Sequence, residues 1–213
     1  PGTEAVSRLR DKLAHLGRGR DETSVRLRPG ERHPVVVLAL SFELAAGLEV
    51  GLQTEEVDEL LADLTRSFGR ELRSAGGRVE QPLGRTLLAT FGHDRVGEDD
   101  AERAALAALR LIDHRRDVEA ALGEIGCGLH LRVGLHHGFV VRSQPIEMTG
   151  ESPTAGDTVN VARFLEELAP LNGIYASRAV CDAAGDRFAW RLVGSRDVRG
   201  RAEPIEVHEL MGL

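Results

Sequence analysis

Lysine and aromatic residues are scarce in this chain of 213 residues, since Lys12 is the only lysine and aromatics make up 4%. After residue 30 there is no lysine to form a Schiff base or to bind a phosphate as a point charge. Few rings remain for base stacking. The net charge of -7 and the pI near 5.7 also argue against a nucleic-acid-binding surface, which is usually basic.

Cysteine and long apolar runs are also scarce. Cys127 and Cys181 are far apart and form neither a CxxC motif nor a zinc-type spacing, which predicts reduced thiols in a cytoplasmic domain. The longest apolar run, 34–42, is too short to span a bilayer, and no signal peptide pattern is present. The chain starts at Pro1 without a methionine, which suggests that it is part of a longer protein.

The common catalytic motifs are missing as well. There is no P-loop or dinucleotide-type glycine loop, no GxSxG elbow and no HExxH motif. Four histidines come into question as metal ligands: His93, His130, His136 and His137. The last two are neighbours on a predicted strand and should point to opposite faces, which argues against a histidine metal site.

The pattern that is present begins with an amphipathic segment. Residues 4–16 have apolar side chains at helical spacing and 17–30 are polar, which predicts an N-terminal helix and linker over 1–30. This helix is either a surface helix or one that dimerises or transmits a signal. From Pro34 a β-branched apolar run predicts a central strand covered on both faces. A helix from Thr54 to the glycines at 76 and 77 follows.

A hairpin comes next. Residues 76–92 read as a helix stop, a short strand, a tight turn at Gly84 and a second apolar strand, with Gln81 and Arg85 projecting near the turn. A second long helix starts at Asp99 or Asp100. Residues 128–142 predict two strands that meet near His136.

The order strand, helix, strand, strand, helix, strand predicts an α+β fold with a ferredoxin-like βαββαβ core. Beyond this core, the pattern predicts a helix near 157–168, a strand at 173–176 and a helix from Ser177. Two final strands are predicted near 188–193 and 205–210.

Several segments in this order closely resemble the catalytic domain of class III adenylate/guanylate cyclases. Besides the hairpin, they are Glu31–Leu38, Glu98–Ala104, Leu131–Gly138, Gly156–Ala162 and Gly200–Val207. The resemblance implies a cyclase homology domain over 31–213, with class III cyclase additions to the ferredoxin-like core, working as a head-to-tail dimer. In active members each site is shared between two chains, and two aspartates hold two magnesium ions that position the triphosphate.

The same resemblance assigns a position to each functional residue. The first metal aspartate corresponds to Ser41 and the second to Arg85. The purine-reading lysine corresponds to Gln81, and the second purine determinant to Pro153. The ribose asparagine is retained as Asn160.

The transition-state arginine of the family corresponds to Phe164. Arg163 is one residue short of that position. Because one residue corresponds to about 100° of rotation around a helix, we expect Arg163 to leave the face that Asn160 occupies. The basic residue that holds the terminal phosphates is retained as Arg199 or Arg201. The candidate nucleotide-binding residues are therefore Gln81, Arg85, Asn160, Arg199 and Arg201.

Magnesium binding is predicted to be lost, so no cofactor is expected. A serine cannot replace a carboxylate ligand, and a guanidinium about 4 Å from Mg²⁺ repels it by about 8 kcal/mol at an effective dielectric near 20. Glu43 lies on the same strand face as Ser41, and we expect it to form a salt bridge with Arg85 rather than to bind a metal.

The leading hypothesis is therefore a catalytically degenerate cyclase homology domain. It would act as a regulatory or dimerisation module, as a homodimer or paired with a catalytic cyclase domain, with no nucleic acid partner and no membrane span. A second hypothesis is a nucleotide or anion sensor without turnover, in which Arg85, Arg199 and Arg201 bind the ligand, although these arginines can equally form surface salt bridges. A third is an atypical active cyclase.

Overall fold

The architecture is that of a computed structural model. It describes residues 32–45, 54–80, 85–92, 97–122, 127–141 and 157–213. The predicted helix and linker over 1–30 lie outside the described residues, as do Gln81 and Pro153.

The described residues form one seven-stranded sheet with four helices. The strands are β1 Arg32–Ala45, β2 Arg78–Val79, β3 Thr86–Phe91, β4 Gly128–Val141, β5 Gly173–Ser177, β6 Ala189–Arg196 and β7 Ile205–Gly212. The helices are α1 Thr54–Ser74, α2 Asp100–Leu122, α3 Asp157–Leu168 and α4 Arg178–Ala184. The sheet order is β2-β3-β1-β4-β5-β7-β6. Its first four strands have the order and antiparallel pairing of a ferredoxin-like core, as predicted.

β1 is buried on both faces. Val36, Leu38, Leu40 and Phe42 belong to the large core formed with α1 and α2. Val35, Val37 and Ala39 point the other way and pack with Val159 and Ala162 of α3. Because side chains alternate along a strand, only a continuous apolar run can fill two cores at once. The prediction of a doubly covered central strand is confirmed.

The hairpin prediction is also confirmed in its described part. β2 pairs antiparallel with β3 through Arg78 opposite Thr90 and Val79 opposite Ala89. Gly76, just after α1, has φ +84, a conformation that glycine adopts without a Cβ penalty. The turn residues 81–84 lie outside the described residues.

The prediction of two strands over 128–142 is wrong. β4 runs without a break from Gly128 to Val141, passing through His136, His137 and Gly138. β4 stays continuous because β1 pairs with it without interruption, from Arg32 opposite Val141 to Ala45 opposite Gly128. A long partner strand stabilises an extended conformation that the local glycines alone do not favour.

Two glycines of β4 allow α3 to lie close against the sheet. A Cβ on Gly134 would lie 2.1 Å from the carbonyl oxygen of Ala162 and 2.3 Å from the amide nitrogen of Glu166. A Cβ on Gly138 would lie 2.6 Å from Oγ1 of Thr158. At Gly134 the obstructing atoms are helix backbone, which cannot rotate away. The distance between α3 and the sheet therefore depends on this glycine.

The remaining strands continue the sheet beyond β4, and a further apolar cluster lies between them and α3. It contains Val161, Leu165, Val198, Ile205 and Val207. None of the described helices is both long enough and apolar enough to cross a lipid bilayer.

Replacing Gly134 by alanine should destabilise the domain, since its Cβ would collide with the backbone of α3. We expect the free energy of unfolding, measured by chemical denaturation, to fall by about 3 kcal/mol. The control is Gly69→Ala in α1, where the nearest atom is the flexible Nη1 of Arg73 at 3.3 Å. That variant should gain roughly 0.5–1 kcal/mol from helix propensity. Equal stability of the two variants would contradict the close approach.

Candidate functional site

A cavity of about 150 Å³ opens where β1, β4 and the residue before β3 meet. The residues that line it are Ser41, Phe42, Glu43, Arg85, His130, Arg132 and Leu171. Ser41 and Arg85, the two positions that the resemblance assigns to the metal aspartates, thus lie at one cavity. Ser41 is not the last residue of its strand, because β1 continues to Ala45.

The strand register brings these side chains together. Ser41 pairs with Thr86 of β3 on one side and with Arg132 of β4 on the other. Arg85 directly precedes Thr86 in the chain. Arg132 therefore lies beside Ser41 on the same sheet face, and Arg85, one residue before β3, lines the same cavity.

Ser41 also contacts α3. Its hydroxyl group donates a hydrogen bond to Oε1 of Glu166, a residue that is 5% exposed. Burial raises the pKa of Glu166, and the hydrogen bond from Ser41 opposes this shift, as do the charges of Arg132 and Arg163. The position assigned to the first metal aspartate is thus occupied by a hydroxyl group that binds a buried carboxyl group.

The two arginines of the cavity differ in their surroundings. Arg85 is exposed and forms no ion pair or hydrogen bond with any residue that the structure describes. Arg132 lies 3.9 Å from Oε1 of Glu43, and its buried Nε has no hydrogen-bond partner. The ion pair of Glu43 is therefore with Arg132 and not, as expected, with Arg85, because Arg132 and Glu43 lie on the same sheet face of adjacent strands.

The donor set of the cavity does not fit Mg²⁺. Its described lining offers one carboxylate, Glu43, together with two guanidinium groups. Magnesium requires several oxygen ligands in octahedral geometry, and adjacent positive charges oppose its binding. Within the described parts of the chain, no three His, Cys, Asp or Glu side chains come together as a metal-binding group.

The retained asparagine and the residue at the arginine position are both on α3. Asn160 is exposed, whereas Phe164 is half-buried and packs against the apolar cluster between α3 and the last strands. Arg163 is half-buried and close enough to Glu166 to influence its pKa. Phe164 is therefore part of the hydrophobic packing on this side of the sheet.

The two C-terminal arginines lie outside the lining of the cavity. Arg201 forms an ion pair with Asp157, the first residue of α3. Arg199 is exposed and has no ion pair among the described residues. The cavity groups Arg85 with Arg132 and His130 instead.

His136 lies on the same sheet face as Gly134, close to the start of α3. Its Nδ1 is 2.8 Å from Oγ of Ser177, and the side chain is buried. Burial, assisted by the charge of Arg201, lowers the pKa of His136 to about 4. His137 is its half-buried neighbour on the opposite face, as predicted.

Cys127 and Cys181 form no disulfide, as predicted. Burial raises the pKa of both thiols, that of Cys181 to about 12.

Sequence reasoning missed Glu166 and Arg132. A signal for Glu166 existed in the spacing of Val159, Ala162 and Glu166, which places the glutamate on the buried stripe of α3. Arg132 is two residues before Gly134 on β4 and thus on the same sheet face, but only the register with β1 places it beside Ser41.

Residues 34–212 match the family described as the adenylate and guanylate cyclase catalytic domain. The chain belongs to this family. Adenylate cyclase 1 of Rhizobium meliloti (strain 1021) is 27% identical over 167 residues, which cover 76% of this chain and 25% of that protein. Adenylate cyclase of Anabaena cylindrica is 28% identical over 164 residues, 73% of this chain and 32% of that protein. The chain thus spans a third or less of these relatives.

Solved structures share the fold. The adenylyl cyclase CyaB from P. aeruginosa superposes with a TM-score of 0.78 at 18% identity, covering 87% of this chain and 97% of that chain. The guanylyl cyclase Cya2 has a TM-score of 0.74 at 24% identity, and the match covers 87% of this chain and 95% of that chain. The guanylyl cyclase domain of the RhoGC fusion protein from Blastocladiella emersonii is similar in two forms. Its non-canonical dimer has a TM-score of 0.69 at 20% identity, and the match covers 85% of this chain and 98% of that chain. Its monomer has a TM-score of 0.66 at 19% identity, and the match covers 87% of this chain and 99% of that chain.

Stability should depend on pH through His136. In the unfolded chain a histidine takes up its proton near pH 6.5, but in the folded domain only near pH 4. The unfolded state therefore binds more protons in this window, and stability falls as the pH is lowered from 6.5 to 4. The contribution of this residue is about 3 kcal/mol. Denaturation of wild type and His136→Gln across this range should give a shallower slope for the variant, and equal slopes would contradict the assignment.

Proposed function

We propose that this domain is a catalytically degenerate class III nucleotidyl cyclase homology domain that acts as a regulatory or protein-interaction module. The observation that supports this best is the pair of residues at the cavity. Ser41 donates its hydrogen bond to buried Glu166, and Arg85 contributes a positive charge where the family places a metal ligand. Metal binding is lost in this proposal, and with it the positioning of the triphosphate.

A second reason concerns the transition state. The resemblance places a transition-state arginine at Phe164, and this side chain packs into an apolar cluster. An aromatic ring cannot donate charged hydrogen bonds to a developing negative charge, so the electrostatic stabilisation of that step is missing. The expectation that Arg163 leaves the face of Asn160 is wrong, because residues three apart are neighbours on a helix. Arg163 nevertheless lies about 100° around α3 from the position of Phe164, where it is half-buried and close to Glu166.

The interaction role follows from what the chain retains. The core order of the strands and the packing of α3 are intact, so the surface that presents Asn160 is still formed. In the family this surface contributes to a site shared by two chains. A related guanylyl cyclase domain has been solved both as a non-canonical dimer and as a monomer. We infer a homodimer, or a heterodimer with a catalytic cyclase domain.

An active cyclase with unusual residues is the alternative from the enzyme class. It requires that other side chains replace both the metal ligands and the arginine. Such replacements would have to come from a partner chain or from residues outside the described ranges. Enzyme assays discriminate directly between the two proposals.

The purified domain should form no cyclic nucleotide from ATP or GTP with Mg²⁺ or Mn²⁺, because Ser41 and Arg85 cannot hold the ions. Product formation is measured by chromatography at high protein concentration, with an active cyclase domain as the positive control. Turnover that disappears in Asn160→Ala would overturn the proposal and favour the atypical enzyme.

The dimer should depend on the exposed side of α3. Leu168 is 37% exposed and lies one turn after Phe164 on α3. Leu168→Glu should shift the light-scattering mass towards the monomer and raise the dissociation constant at least tenfold, since a buried charge would be unpaired. The control is Leu192→Glu on β6, a leucine that is 61% exposed and should tolerate the change. A wild-type domain that stays monomeric at high concentration would contradict the dimer.

A further inference from the structure

We propose that the cavity between β1, β4 and the residue before β3 binds a single phosphate group directly, without a metal ion, through Arg85 and Arg132. An interaction module needs no ligand, so this inference is independent of the proposed function. In this proposal, the arginines of the cavity bind an anion at the place where carboxylates bind metal cations in active members of the family.

The first argument is geometric. Ser41 is paired with Arg132 across one strand boundary and with Thr86, the neighbour of Arg85, across the other. All three of Ser41, Arg85 and Arg132 line the cavity. Arg132 on β4 and Arg85, one residue before β3, therefore border one common space. A carboxylate is satisfied by one bidentate arginine, whereas a phosphate has further oxygens for a second arginine.

The second argument is that neither arginine has a hydrogen-bond partner among the described residues. A guanidinium group carries five N–H donors. Arg132 makes no hydrogen bond to a described residue, and its Nε is buried without a partner. Arg85 likewise has no ion pair or hydrogen bond in the part of the chain that is described. A buried unpaired donor is unfavourable, and an anion that recruits this guanidinium would relieve the cost.

The third argument concerns the competing carboxylate. Glu43 is the one acidic residue in the described lining, and its Oε1 is 3.9 Å from Arg132, beyond hydrogen-bond distance. The side chain of Glu43 is 52% exposed, so the pair is weakened by solvent. The described lining therefore holds two arginines and one glutamate. The carboxyl group of Glu166 lies next to it, bound by Ser41, and burial raises its pKa, which favours its neutral form.

The cavity is small and partly open to solvent. Its volume of about 150 Å³ leaves room for a group of the size of a phosphate. Pockets that enclose a drug-sized ligand are at least about twice as large. The cavity thus accommodates inorganic phosphate, or the terminal phosphate of an ester whose remaining part lies outside.

The test is calorimetric titration of the purified domain with inorganic phosphate and, separately, with ATP in the presence of a chelator. Arg85→Ala and Arg132→Ala should each weaken binding of the phosphate group about tenfold or more, since each removes charge-assisted hydrogen bonds. Glu43→Gln should strengthen it severalfold by removing the competing carboxylate. The control is Arg116→Ala on α2, an exposed arginine paired with Asp113. It should bind like the wild type.

The two ligands distinguish the two sources of phosphate. Equal affinities identify the free ion as the ligand, and tighter binding of ATP that is lost in Arg85→Ala identifies an ester; both outcomes support the site. Because Arg85 is exposed, its variant should remain folded, and circular dichroism checks this. The proposal is overturned if the wild type binds neither ligand. It is also overturned if both folded arginine variants bind like the wild type.

Discussion

The close contact between α3 and β4 at Gly134 is the constraint on which the site depends. Because this residue has no Cβ, the backbone of α3 can approach the sheet at Ala162 and Glu166. That distance places the carboxyl group of Glu166 within reach of Ser41 on the next strand. It also places Phe164 against the last strands and leaves Asn160 exposed. A single glycine therefore positions the buried, apolar and exposed sides of this helix.

The cavity beside this helix illustrates how a scaffold and its chemistry can separate. The strands that carry Ser41, Arg132 and Arg85 are held by backbone pairing and by two apolar cores, and neither depends on the charge in the cavity. Side chains at the rim can therefore differ between proteins that share this fold. Burial limits such changes. Arg85 is exposed to solvent, which stabilises its charge, whereas the buried carboxyl group of Glu166 has a hydrogen-bond donor in Ser41.

Much of the fold could be predicted because the signals were local. The continuous apolar run of β1 indicates burial on both faces, and the glycines after α1 mark its end. β4 was predicted incorrectly because its continuity comes from pairing with β1 and not from its own composition. The partner of Glu43 was missed for a similar reason, since strand register decides which arginine is adjacent.

The sequence alone indicated most of the order of the elements and the family to which the chain belongs, and it places Ser41 and Arg85 at the positions that the resemblance assigns to the metal ligands. These properties depend on residue identity and on periodicity along the chain. The tertiary structure decided which groups meet: Ser41 with Glu166, Arg85 with Arg132 at one cavity, and Arg201 with Asp157 away from it. Such contacts join residues that are distant in the chain, and they follow from strand register and from the distance between α3 and the sheet.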